Sequence, residues 1–147
     1  MRQIENADGI ALTAADASHI AAYDALITAF VGFRRETGAM AKTLAEDAPE
    51  MPMALAAKGY LSKMAGSAEG TAAAGRAAKA LGSLVDAGHA NAHERTHAAA
   101  LDRWLAGDMD GATRLWEGLT ADTPGDTLAL RLQHFMHFYT GEVRRIR

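Results

Sequence analysis

A chain of 147 residues with a formal charge of −3 is one domain's worth of polypeptide, and it lacks the basic footprint that nucleic-acid binding needs. Apolar residues make up 49% and aromatics only 6%, so the core is expected to consist mainly of alanine and leucine, small enough for helices to approach closely. The absence of cysteine excludes disulfides and thiolate metal sites, and no stretch reaches the roughly 18 uninterrupted apolar residues of a membrane span. Glu5 and Asp8 do not suit a signal peptide, so a soluble, cytoplasmic protein is expected.

In chain order the pattern predicts seven helices and no strand. Thr13 with Asp16 three residues on resembles a capping box, opening a first helix to about Arg35 with Ile20, Tyr23, Ile27 and Phe30 at helical spacing. A second helix runs from Thr37 to Asp47, where Ala48-Pro49 ends it, because a residue before proline is pushed out of the helical region. The third covers 52–65 with Pro52 at its start, where the missing N–H costs least. The fourth spans 69–86, with Ala74, Ala78 and Gly82 forming a small-residue face; Arg76 and Lys79 make this a soluble packing face rather than a membrane dimer motif. Asn91 with Glu94 is a better capping box and starts a fifth helix to Ala106. The sixth spans 108–122, and after Thr123-Pro124-Gly125 the residue Asp126 caps a seventh helix to Thr140.

The chain also repeats itself. Gly32 and Gly66 lie 34 residues apart, as do Gly107 and Gly141, and Pro49 and Pro124 each follow the first glycine of a pair by 17. The same offsets align Met40 with Leu115, Leu44 with Leu119, Asp47 with Asp122, Leu55 with Leu130 and Tyr60 with Phe135. A 34-residue period is the signature of tetratricopeptide-type helical hairpins. It predicts an all-α fold of stacked antiparallel hairpins, a single domain over 1–147, with an insertion that lengthens the hairpin between Gly66 and Gly107. The seventh helix then has no full partner after Glu142, so Leu130, Phe135, Phe138 and Tyr139 are expected to be uncovered. The expectation is an incomplete solenoid, part of a longer protein or one that forms a homodimer through its C-terminal helix.

The stretch from Glu94 to Glu142, most specifically Gly107 to Pro124, resembles the N-terminal part of the tetratricopeptide repeat protein 38 family, as do Asp8-Gly9-Ile10-Ala11-Leu12-Thr13 and Ala45-Glu46-Asp47-Ala48-Pro49. The resemblance implies a helical-repeat fold continuing into further repeats, and says little about activity.

Two kinds of site compete. His93-Glu94-Arg95-Thr96-His97 matches H-E-x-x-H, in which histidines four apart on a helix chelate zinc and the glutamate acts as general base. Glu117, 20 residues after His97, is the candidate third ligand, giving the alternative of a small zinc-dependent hydrolase. Capping by Asn91 and Glu94 explains the same residues without metal. The preferred reading therefore has no catalytic residues, no metal and no cofactor. His134 and His137 read as packed or groove-lining.

The first helix of each hairpin lines the concave face of such stacks, where peptides dock. That places Met53, Tyr60, Lys63, His97, Leu101, Trp104, Arg131, Phe135 and Phe138 in a mixed aromatic and basic groove, with Trp116 in the core. The function expected is a scaffold that binds protein or peptide; a structural cap of a longer repeat protein is a further alternative.

Overall fold

The computed structural model describes residues 1–138. Seven helices follow a short hairpin: β1 (Arg2–Glu5), β2 (Ala11–Ala14), α1 (Ala17–Val31), α2 (Thr37–Asp47), α3 (Pro52–Met64), α4 (Ala68–Asp86), α5 (Ala92–Leu105), α6 (Met109–Asp122) and α7 (Thr127–Met136). The fold is all-α apart from that hairpin, and consecutive helices pack on one another along the chain. No helix among the described residues is long and apolar enough to cross a membrane.

Local chemistry sets most helix boundaries. Asp16, Ser67, Asn91, Asp108 and Asp126 each turn a side-chain oxygen onto an N–H of the first turn, satisfying one of the donors that a helix start leaves open. Around α5 the box is reciprocal: Asn91 Oδ1 accepts from Glu94 N at 2.9 Å, and Glu94 Oε1 accepts from Asn91 N at 2.8 Å. α2 stops at Asp47, ahead of Pro49, and Pro52 sits in the first turn of α3. α4 and α5 end in left-handed glycines: Gly88 at φ 79° and Gly107 at φ 86° let His89 N reach Leu84 O and Asp108 N reach Arg103 O.

The N-terminus departs from the helical expectation. Thr13 does not start α1. It lies in β2, antiparallel to β1 with Ile4 opposite Leu12 and Gln3 opposite Thr13. Asn6 makes the turn, its Oδ1 accepting from Asp8 N and Ile10 N while Gly9 takes φ 78°. Two four-residue strands carry too little alternation to signal a sheet, but Leu12, Thr13 and Ala14 are all buried against the helices.

The hairpin takes part in closing the core, through Leu12 and Ala14. β2 packs on α3, and α1 packs on α2, α7 and the hairpin. β2 thereby covers part of α3 and is tied to the start of α5 through Thr13 and Glu94. One core results, running from Leu12, Tyr23 and Leu26 through Met53, Tyr60 and Leu101 to Trp104, Trp116 and Leu132. α3 and α5 approach closely at Gly59, where a Cβ would meet Leu101 Cδ2 at 2.5 Å.

The groove expected from the repeat is consequently not a surface. Met53, Tyr60, His97, Leu101 and Trp104 are buried core residues. Trp104 joins Trp116 inside, their rings edge to face at 5.8 Å, so the expected division of one groove tryptophan and one core tryptophan is corrected. Phe135 is half-buried with its ring 6.0 Å from Trp104, and Lys63 and Arg131 are half-buried too. The Arg131 guanidinium lies over the ring of Phe33, 5.7 Å from its centroid, rather than in a basic groove. Of the C-terminal helix residues, Leu130 and Phe138 are exposed; Tyr139 lies outside the described residues.

Candidate functional site

The H-E-x-x-H residues do come together, but in different roles from those the motif suggests. α5 begins at Ala92, so His93 and His97 lie one turn apart on its buried side with ring centroids 5.2 Å from each other. Between them stands a carboxylate from elsewhere. Asp126 Oδ2 lies 2.9 Å from His93 Nε2 and 2.8 Å from His97 Nε2. The other oxygen, Oδ1, accepts from Ala129 N at 2.9 Å as the cap of α7. One carboxylate thus starts a helix and closes a histidine pair. Burial pushes the Asp126 carboxyl upward, but the hydrogen bonds from His93 and His97 outweigh it and hold the group well below the usual carboxylate range.

Asp126 replaces Glu117 as the third member of the cluster. Glu117 is exposed on α6 and takes no part in the group formed by His93, His97 and Asp126, whose ligand atoms all lie within 4.8 Å of one another. The sequence marked Asp126 as a cap, which it is; nothing local ties it to residues 29 positions away.

Glu94 is not placed as a base. Its side chain is fully buried and accepts from Thr13 N at 2.7 Å, Thr13 Oγ1 at 2.7 Å and Asn91 N at 2.8 Å. Gln3 Nε2 in turn donates to Thr13 Oγ1, and Asn91 Nδ2 donates to Ala11 O and to Gln3 Oε1. The glutamate clamps the hairpin to α5.

Behind His97 lies an aromatic wall. Tyr60 Oη is 2.8 Å from His97 Nδ1 and 2.9 Å from His97 O, and it accepts from Trp116 Nε1 at 3.2 Å. Burial keeps the Tyr60 phenol far above its ordinary value, hence un-ionised.

In front of His93 lies a cleft of about 340 Å³ between the hairpin turn, α1 and the start of α7. Ile10, Ile27, Val31 and Leu128 supply apolar walls, and His93 and Asp126 form part of its lining. Tyr23 also lines it. This residue is 5% exposed. Burial, then the Asp126 charge, raises the Tyr23 phenol well above its usual range. Asp24 is already occupied, accepting from Asn6 Nδ2 and Ala7 N and so fixing the hairpin turn to α1. Sequence periodicity singled out Tyr23 and Ile27 as α1 core positions; their place in a cleft depends on the hairpin and α7 meeting there.

No protein-family model matches the chain. No solved structure matches it either.

Proposed function

We propose that the chain is a helical-repeat interaction module that acts by binding, with its site in the cleft between the hairpin turn, α1 and the start of α7. The carrying observation is the cleft itself, an apolar-walled cavity of about 340 Å³ with Tyr23, His93 and Asp126 in its lining. A hydrogen bond from the Tyr23 phenol to a ligand oxygen would add roughly 0.5–1.5 kcal/mol to apolar contact with the walls. The occupant that fits is an aliphatic group of a peptide or small molecule, resting against Ile27, Val31 and Leu128, with an acceptor oxygen beside it for Tyr23. The hydrolase alternative is weaker because its base, Glu94, has all its close contacts taken up by Thr13 and Asn91.

The test is chemical-shift mapping with blocked tripeptides carrying leucine, lysine or glutamate at the centre. The leucine peptide is expected to move the Ile27, Val31 and Thr127 amides, and Tyr23→Phe to weaken it several-fold, as loss of one hydrogen bond does. If no peptide at millimolar concentration perturbs those amides, the cleft is not a binding site.

A further inference from the structure

We infer that His93, His97 and Asp126 form a binding site for one divalent transition ion of the zinc class. The inference is independent of what occupies the cleft.

The convergence of three ligand atoms carries the argument: one each from His93, His97 and Asp126, all within 4.8 Å of one another. The Tyr60 oxygen makes three polar contacts, and two of them have fixed direction. Trp116 Nε1 can only donate, and the His97 carbonyl can only accept. With the phenolic proton on the carbonyl, the Tyr60 oxygen has only acceptor capacity left for His97 Nδ1. For the third contact, at 2.8 Å, to be a hydrogen bond, His97 Nδ1 must carry a proton and donate it to Tyr60. A neutral His97 in this tautomer has a bare lone pair on Nε2, and that lone pair points at Asp126 Oδ2 from 2.8 Å. Two lone pairs at this distance repel unless a cation lies between them. Either a second proton or a metal ion supplies it, and Asp126 Oδ2 meets the same geometry again at His93 Nε2, 2.9 Å away.

The surroundings are those of a metal site. A metal-bound histidine characteristically donates its other ring N–H to an oxygen, which fixes ring orientation; Tyr60 does this for His97, itself held by Trp116. The ligating carboxylate is fixed by Ala129 N on its other oxygen. Two imidazoles and a carboxylate suit zinc, with metal–ligand distances of roughly 2.0–2.2 Å and ligand atoms therefore about 3.3 Å apart. The two N···O separations, 2.9 and 2.8 Å, need to open by a few tenths of an ångström, and the ligand atoms, all within 4.8 Å of one another, need to gather around one ion through rotation of half-buried His93. Because His93 and Asp126 line the cleft, a fourth position faces it, as in sites where three protein ligands leave one place for water.

The experiment uses the full chain after chelator dialysis, titrated with zinc by calorimetry and with cobalt by visible spectroscopy. One zinc per chain and the absorption of four- or five-coordinate cobalt are expected. His93→Ala, a change at a half-buried position, should abolish the cobalt bands while leaving the helical circular dichroism intact. Tyr60→Phe removes the acceptor for Nδ1–H and should weaken zinc roughly 10–100-fold, the usual effect of losing such a partner. Fully retained affinity in folded Tyr60→Phe would remove the tautomer argument. Failure to take up zinc overturns the inference, and so does uptake that survives His93→Ala, which would place an adventitious ion on others of the six histidines.

Discussion

Thr13 holds both oxygens of Glu94, its backbone N–H meeting Oε2 and its hydroxyl meeting Oε1, each at 2.7 Å. A carboxylate one turn into α5 is thereby tied to a strand 81 residues earlier. Glu94→Ala would strand the Thr13 and Asn91 donors in the interior. Hydrogen bonds to a charged group contribute about 1.5–3 kcal/mol, and buried donors without partners are penalised by roughly 1–3 kcal/mol. Urea unfolding should show a loss of about 3–5 kcal/mol, with hairpin amides exchanging faster than those of α4. A loss below about 0.5 kcal/mol would mean that the hairpin is not docked on α5.

The two tryptophans should behave alike. Trp104 and Trp116 are both buried and stand edge to face, so alanine at either position should cost about 3–5 kcal/mol. Trp116 additionally leaves Tyr60 without its indole donor. Guanidinium unfolding of the two variants decides this; a near-neutral Trp104→Ala would put that ring back on a surface.

Helical glycines should divide by what surrounds them. At Gly59 an added methyl meets the buried Leu101 side chain, so Gly59→Ala is expected to destabilise by about 1–2 kcal/mol through overpacking. Gly75 and Gly118 have nothing within 4 Å of a new Cβ, and alanine there should stabilise by about 0.5–1 kcal/mol. Thermal melts of the three variants check both signs. Relief of Gly59→Ala by Leu101→Ala in a double-mutant cycle would locate the clash.

Alkaline pH should expose the buried phenols only on unfolding. Burial raises Tyr23 and Tyr60 above the ordinary value of 10.0. A group whose folded pKa is raised contributes stability that is complete below its unfolded pKa and drains away as pH climbs toward the folded value. Stability should therefore hold to about pH 10 and fall above it. In a Tyr139→Phe background, absorbance at the phenolate band should stay low until the helical signal collapses. Phenolate appearing at pH 10 with helices intact would mean that one of the two rings is solvated.

What the sequence settled by itself is local. Asn91 and Glu94 sit three apart and cap α5 wherever the helix packs, Asp126 caps α7, and Pro52 and Pro49 bracket the α2–α3 turn. Helix order and boundaries follow because hydrogen bonds within one turn need no distant partner. Tertiary structure alone decided which faces are covered. A strand as short as Leu12-Thr13-Ala14 has no periodicity to read, yet it docks on α3, while Trp116 of α6, Gly59 of α3 and Asp126 at the start of α7 meet Tyr60, Leu101 and His97, which lie in the core rather than in a groove. In the same way, His97 and Asp126 are 29 residues apart and meet only because the start of α7 packs beside α5 at the cleft. The capping role of Asp126 uses one oxygen and was legible; the role of the second depends on which side chains folding brings within 3 Å of it.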